Sequence, residues 1–141
     1  MFRIQIMTKF EIGDFEKQLS YLKIGNGSKI AVVFPETAEL MCSFLKDPEK
    51  TVSLYSMLLP IEYTVYVIGY NPEMPPDETP FTIIDRAAPF IKKYLGKAVI
   101  VGISYGGPNA ICFAGKYPEL VSKLLLIVSA YKVSEDRKSV V

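Results

Sequence analysis

Hydrophobic and polar residues alternate near the N-terminal end of the chain, in residues 2–6 and again in residues 19–24. This period of two is typical of half-buried β-strands. Gly25-Asn26-Gly27-Ser28 then gives a strong tight-turn signal. The following run, Ile30 to Phe34, is apolar throughout, as expected of a strand covered on both faces. The pattern predicts an antiparallel hairpin, Tyr21–Phe34, that leads into a central strand.

Helical and extended segments then alternate. Residues 37–45 and 51–59 have helix-compatible spacing, with Asp47-Pro48 between them, and the second is the stronger helix prediction. Residues 63–68 are β-branched and aromatic, which favours a strand. Residues 71–80 contain four prolines and are predicted to form an exposed loop.

Four further elements are predicted after this loop. Thr79-Pro80 has the pattern of a helix start, and apolar residues recur at helical spacing until Gly96 ends the helix, with Pro89 predicting a kink. Buried strands are predicted at 98–101 and 124–128, on either side of a helix at 107–117. Strands that alternate with helices predict an α/β fold: a mostly parallel sheet with an N-terminal antiparallel hairpin and helices on both faces. Residues 1–141 are expected to form one domain with an irregular tail at 132–141.

Composition narrows the function. Sixteen Lys and Arg residues balance fifteen Asp and Glu residues, which argues against a nucleic-acid partner. The apolar runs are too short to span a membrane, and the N-terminal segment lacks the unbroken apolar stretch of a signal peptide, so a cytoplasmic location is expected. Cys42 and Cys112 have no metal-like spacing, Cys112 is expected to be buried, and no cofactor or metal is predicted. The chain contains no histidine, so it cannot supply an imidazole base or ligand.

One motif carries chemistry. Gly102-Ile103-Ser104-Tyr105-Gly106 lies between a predicted buried strand and a predicted helix, which is the context that a G-x-S-x-G nucleophile elbow requires. Such a turn lifts the serine hydroxyl above the sheet, beside a helix N-terminus that favours negative charge. The alternatives are a glycine-rich turn without chemistry and a phosphate-binding turn.

Residues beyond the motif resemble the α/β-hydrolase family. Gly107, Tyr117-Pro118-Glu119 and Lys123 to Ile127 follow the elbow, helix and next strand of that family almost position for position. The resemblance implies that the chain corresponds to the N-terminal half of the fold, up to the strand after the elbow. It also implies Ser104 as the nucleophile, and the backbone N–H of Tyr105 as one oxyanion-hole donor. A second donor is implied in the turn after Ile30–Phe34, at Thr37 or Glu36.

Two departures from the family weaken this interpretation. Pro35-Glu36 stands where His-Gly commonly follows the strand, and a glutamate there would repel an oxyanion unless its side chain points away. The second departure is truncation. In this family the triad acid and histidine follow the serine along the chain, and this chain is expected to end before either of them. Without a base, a serine is a poor nucleophile. The last predicted strand would then be an apolar edge open to association with another chain.

Three hypotheses follow. The first is a truncated serine hydrolase of esterase or lipase type, inactive alone, whose substrate would be a small ester or other acyl compound. The second is a non-catalytic α/β-hydrolase-like binding or scaffold protein. The third, a doubly wound phosphate-binding domain, lacks support because the chain has neither G-x-G-x-x-G nor G-x-x-x-x-G-K-[ST].

Overall fold

The computed structural model describes residues 9–36, 43–70 and 82–127. The strands are β1 (Phe10–Phe15), β2 (Leu19–Ile24), β3 (Lys29–Phe34), β4 (Tyr63–Tyr70), β5 (Ala98–Ile103) and β6 (Val121–Ile127). The helices are α1 (Pro48–Ser56), α2 (Ile83–Phe90, continued by a π turn at Ile91–Leu95) and α3 (Gly107–Lys116). Short 3₁₀ turns lie at Ser43–Leu45, Ser104–Gly106 and Pro118–Leu120.

All six strands form one mixed sheet in the order β1-β2-β4-β3-β5-β6. Strands β4, β3, β5 and β6 are parallel to one another. Strand β2 is antiparallel to both of its neighbours, β1 and β4. The predicted α/β class with a mostly parallel sheet and an N-terminal antiparallel hairpin is therefore confirmed. In the centre, β3 and β5 are in register so that Phe34 lies opposite Gly102.

Strand β3 is apolar from Ile30 to Phe34 because both faces of this part are covered. Val32 and Phe34 belong to the core cluster beneath α2 and α3, which also contains Phe113. Ala31 and Val33 belong to a second cluster on the opposite face, with Tyr55 of α1. Helices therefore cover both faces of the sheet, as predicted.

The predicted pairing of Tyr21–Phe34 as a hairpin is wrong. The hairpin consists of β1 and β2, and β4 lies between β2 and β3. The segment after β2 is instead tied to the start of β4, where the Thr64 hydroxyl donates to the carbonyl of Gly27 at 2.6 Å. Alternation and turn composition show that a strand ends there, but they do not select its neighbour.

Two helices differ from the predicted bounds. Helix α1 begins at Pro48, inside the predicted break between two helical segments, because the Asp47 side chain caps it, accepting from the Lys50 N–H at 3.2 Å. In α2 the α-helix continues past Pro89 to Phe90 and then widens into the π turn, and the kink at Pro89 stays a prediction. The predicted helix start at Thr79-Pro80 lies outside the described residues.

Strand β6 is present but is not buried as predicted. Among the residues that the structure describes, β6 pairs with β5 alone, and Leu124 and Leu126 are 37% and 42% exposed. Cys112 is also exposed, contrary to expectation, because α3 packs on the sheet through Ala110 and Phe113 instead. No helix within the described ranges is long and apolar enough to cross a membrane. The predicted strand at 2–6, the loop at 71–80 and the tail at 132–141 lie outside those ranges.

Candidate active site

Ser104 has the backbone conformation of a nucleophile elbow. Ile103 is still extended, with φ −119° and ψ 126°, whereas Ser104 has φ 53°, in the left-handed region that a residue with a side chain rarely adopts. The chain then reverses through a single 3₁₀ turn, closed by a bond from the Gly107 N–H to the Ser104 carbonyl. Strain of this kind costs about 1–3 kcal/mol and persists only where the surroundings enforce it.

The two flanking glycines of the motif are required by space. A Cβ on Gly102 would lie 2.8 Å from both the Ala110 Cβ and the Gly107 Cα, so α3 can sit directly on β5 only if this residue is glycine. A Cβ on Gly106 would overlap the carbonyl oxygen of Phe34 and lie 2.6 Å from that of Pro35. The elbow therefore lies against the turn that follows β3.

This contact brings together the two segments in which oxyanion-hole donors are predicted. Tyr105 stands at the beginning of the 3₁₀ turn, where the first N–H groups have no partner within the turn itself. Its side chain is 65% exposed, so the ring extends into solvent. The other predicted donor, Thr37, lies outside the described residues.

Glu36 directly follows the contact between β3 and the elbow. From the sequence, its carboxylate is expected to oppose an oxyanion unless the side chain points away. In the structure Pro35 is buried and Glu36 is exposed. Exposure screens the carboxylate charge with water, so its effect on negative charge at Ser104 is weakened.

Sequence reasoning missed a buried polar residue beside the elbow. Asn109, in the first turn of α3, is 4% exposed, and its Oδ1 atom has no hydrogen-bond donor among the described residues. A buried acceptor of this type is costly and therefore rare. The available signal was an asparagine on the same helix face as Ala110 and Phe113.

A polar cluster at the far end of α3 fixes that helix to α2. The Asp85 carboxylate accepts from the Lys116 ammonium at 2.7 Å and from the Tyr117 hydroxyl at 2.6 Å. The bond from Lys116, followed by the one from Tyr117, lowers the pKa of Asp85, and the same contacts with Asp85 raise the pKa of Lys116 and of Tyr117. The cluster thus links α2 to the helix that follows the elbow.

No group of three or more Cys, Asp or Glu residues within the described ranges could hold a metal ion. The elbow therefore offers a serine hydroxyl and backbone N–H groups as its chemistry. A proton acceptor of imidazole type is missing from the whole chain, which has no histidine.

Comparison with known proteins supports the fold. No protein family matches the sequence, and no curated protein matches it. Solved structures do match. A protein described as a predicted CIB-like hydrolase from Thermoplasma acidophilum is 21% identical, with a TM-score of 0.53 over 88% of this chain and 64% of that one.

Two further matches are similar. An α/β-hydrolase enzyme from a Medee basin deep-sea metagenome library is 19% identical, with a TM-score of 0.66, over 92% of this chain and 48% of that one. A putative lipase from Acinetobacter baumannii is also 19% identical, with a TM-score of 0.59, over 87% of this chain and 42% of that one. This chain thus spans roughly half the length of these proteins. From β1 to β6, with the elbow between β5 and α3, the chain has the α/β-hydrolase fold.

Proposed function

We propose that this chain belongs to a serine hydrolase of esterase or lipase type, with Ser104 as the nucleophile. The observation that carries the proposal is the strained backbone of Ser104, at φ 53° between β5 and α3. Strain of this kind concentrates at functional sites. Here it presents the hydroxyl at the carboxyl end of a central parallel strand, where open α/β sheets bind their ligands.

In the proposed reaction, the Ser104 oxygen attacks the carbonyl carbon of an ester or related acyl compound. The carbonyl oxygen becomes an oxyanion, which the Tyr105 N–H stabilises, with a second donor from the turn after β3, at Thr37. Loss of one such donor typically costs about 10²–10³ in rate. The alcohol or amine then leaves with a proton, and water releases the acyl group from Ser104.

Proton transfer from Ser104 requires a base, and we propose that a histidine and an acid outside this chain supply it. The chain has no histidine, and an unactivated serine is a poor nucleophile at neutral pH. Residues 1–141 would then form one partial domain that is inactive alone. Its cytoplasmic location stays a prediction of the sequence.

A fluorophosphonate probe tests the role of Ser104 directly. The folded chain is incubated with the probe with and without added imidazole, which stands in for the missing base, and labelled residues are identified by mass spectrometry. Labelling is expected at Ser104, faster with imidazole, and absent in Ser104→Ala. Ser53→Ala, which alters an exposed serine of α1, is the matched control and keeps the label.

Esterase activity gives the second test. Hydrolysis of a short p-nitrophenyl ester by the chain alone is expected to equal that of Ser104→Ala. Serine-dependent turnover without imidazole would contradict the missing-base proposal. Labelling of exposed serines in general, with no preference for Ser104, would contradict the nucleophile proposal.

The second candidate function is a non-catalytic binding or scaffold protein. The absence of histidine favours it, because the elbow would then have no base to work with. Imidazole distinguishes the two candidates. A relic elbow would not label at Ser104 with or without imidazole, whereas a nucleophile that lacks only its base would.

A further inference from the structure

An aromatic-walled pocket lies far from the elbow. It has a volume of about 380 Å³, is half open to solvent, and is lined by residues of β1, β2, β4 and the end of α2 with its π turn. Helix α2 begins near the carboxyl end of β4, where the hydroxyls of Thr82 and Tyr70 are 2.9 Å apart, and it runs back to Leu95. The pocket is therefore displaced from Ser104 toward the opposite edge of the sheet.

Three rings in mutual contact form the interior of this pocket. Tyr21 and Phe90 are stacked, with centroids 5.3 Å apart, and Tyr66 meets both edge-on at 5.5 and 5.6 Å. All three line the pocket; Phe90 is buried, whereas Tyr21 and Tyr66 are half-buried. Tyr94 extends from the π turn and is 60% exposed at the rim.

The charges of the lining favour a cation. Glu11 and Asp14 of β1 contribute two carboxylates, against a single ammonium group from Lys23. Burial, followed by the nearby Glu11 carboxylate, raises the pKa of both Tyr21 and Tyr66. Both phenols therefore stay neutral at physiological pH and add no negative charge that would compete with the π faces.

Two other rings of the pocket lining, those of Phe15 and Tyr94, already hold one of the protein's own cations. The Lys93 ammonium lies 5.6 Å from the centre of the Tyr94 ring and 6.0 Å from that of Phe15, within the range of cation–π attraction. It is also paired with Glu16 at 2.8 Å. The same combination of aromatic faces and carboxylates lines the pocket, where no side-chain ammonium other than that of Lys23 contributes.

We propose that this pocket is a binding site for a small organic cation carrying a quaternary ammonium group. Such a group is large, weakly hydrated and unable to donate hydrogen bonds, so it gains from enclosure by aromatic rings more than an inorganic cation does. The volume is within the usual range for ligand pockets. The site is separate from the proposed hydrolase chemistry and does not depend on it.

Isothermal titration calorimetry on the folded full chain tests this with choline as the probe. Its uncharged carbon analogue, 3,3-dimethyl-1-butanol, has the same shape and is the matched ligand control. Saturable binding of choline is expected, with an affinity about threefold to thirtyfold above that of the analogue, the range that cation–π attraction provides. Equal affinities would show a merely apolar pocket and overturn the proposal, as would failure of choline to bind.

A pair of variants distinguishes the effect of the Tyr94 π face from that of its apolar volume. Tyr94 is largely exposed, so its substitution leaves the core intact. Tyr94→Leu is expected to weaken choline binding about threefold or more, whereas Tyr94→Phe retains it, because only the second keeps a π face. Equal binding by both variants would contradict a role for the ring.

A last comparison identifies the source of the quaternary ammonium. A free ligand is expected to compete with choline in solution, with no sedimentation of the chain on phosphatidylcholine vesicles. Cosedimentation that choline reverses would also support the site and would assign it to a lipid headgroup. Cosedimentation that choline does not affect would count against the pocket.

Discussion

The carbonyl oxygen of Phe34 occupies the space that a side chain on Gly106 would need. This contact joins the end of β3 to the turn that carries Ser104. Gly106 has an ordinary backbone conformation, with φ −78°. Glycine is therefore required there by the closeness of β3, and any larger residue would push the elbow away from it.

Gly106→Ala is expected to destabilise the protein by about 1–3 kcal/mol, since the added methyl group must displace backbone atoms. Urea denaturation followed by circular dichroism measures this loss. Gly115→Ala is the matched control, because it lies in α3 with nothing within 4 Å of the new Cβ. It is expected to stabilise the protein by about 0.5–1 kcal/mol. Destabilisation by Gly115→Ala, or none by Gly106→Ala, would refute the spatial argument.

Ser104→Gly is expected to be more stable than Ser104→Ala by about 1 kcal/mol, because glycine adopts a positive φ without steric cost. The same two substitutions at Ser53, inside helix α1, give the opposite order by a similar amount. Thermal unfolding of the four variants measures both differences. If alanine were the more stable residue at both positions, Ser104 would not be strained.

Asp85→Asn tests the cluster that fixes α3 to α2. The folded pKa of Asp85 lies below its ordinary value of 3.8, so its contribution is present above that pH and is lost as the pH falls through the folded value. The pKa values of Tyr117 and Lys116 lie above 10.0 and 10.5, so their contributions are present below those values and are lost as the pH rises through the folded ones.

The wild type should therefore exceed Asp85→Asn in stability between these limits and lose the advantage at both extremes. The difference near neutral pH is expected to be about 0.2–1 kcal/mol, because the carboxylate is half exposed and screened by water. Denaturation series at several pH values measure it. Glu119→Gln, an exposed carboxylate on the neighbouring 3₁₀ turn, serves as control. A difference that did not vary with pH would rule out an electrostatic origin.

Leu126→Lys is expected to reduce self-association of the chain. Leu126 and Leu124 lie on the exposed face of β6, which pairs on its described side with β5, and an apolar edge strand readily pairs with another chain. Sedimentation velocity compares the variant with wild type at matched concentrations. Leu54→Lys adds the same charge to an exposed position of α1 and is expected to have no such effect. A reduction by both would indicate a general charge effect.

Local patterns predicted most elements of the fold. The strands at 63–68 and 98–101 are present and extend two residues further, and Gly96 ends the helical segment, with its N–H bonded to the Ile91 carbonyl at 2.6 Å. These features depend on neighbours in the sequence, through side-chain periodicity and local capping. The predicted start of α1 is wrong because Pro48 was interpreted as a break, whereas proline is well suited to the first position of a helix.

Local sequence patterns could not predict which strands pair with each other. The residues of β2 fit a hairpin with β3 as well as one with β1, since pleating alternates identically in both cases. The insertion of β4 between β2 and β3 depends on contacts such as that between Thr64 and Gly27, which are distant in sequence. The exposure of Leu124 also depends on which strands flank β6.

The sequence alone determined the position of the elbow and the absence of histidine, because a motif at fixed spacing and a residue count need no knowledge of folding. Only the tertiary structure placed Phe34 against Gly106, exposed Glu36, and gathered Tyr21, Tyr66, Phe90 and Tyr94 around one pocket. An apolar ring in a pocket wall and one in a core have the same local pattern, and only the arrangement of distant strands and helices distinguishes them.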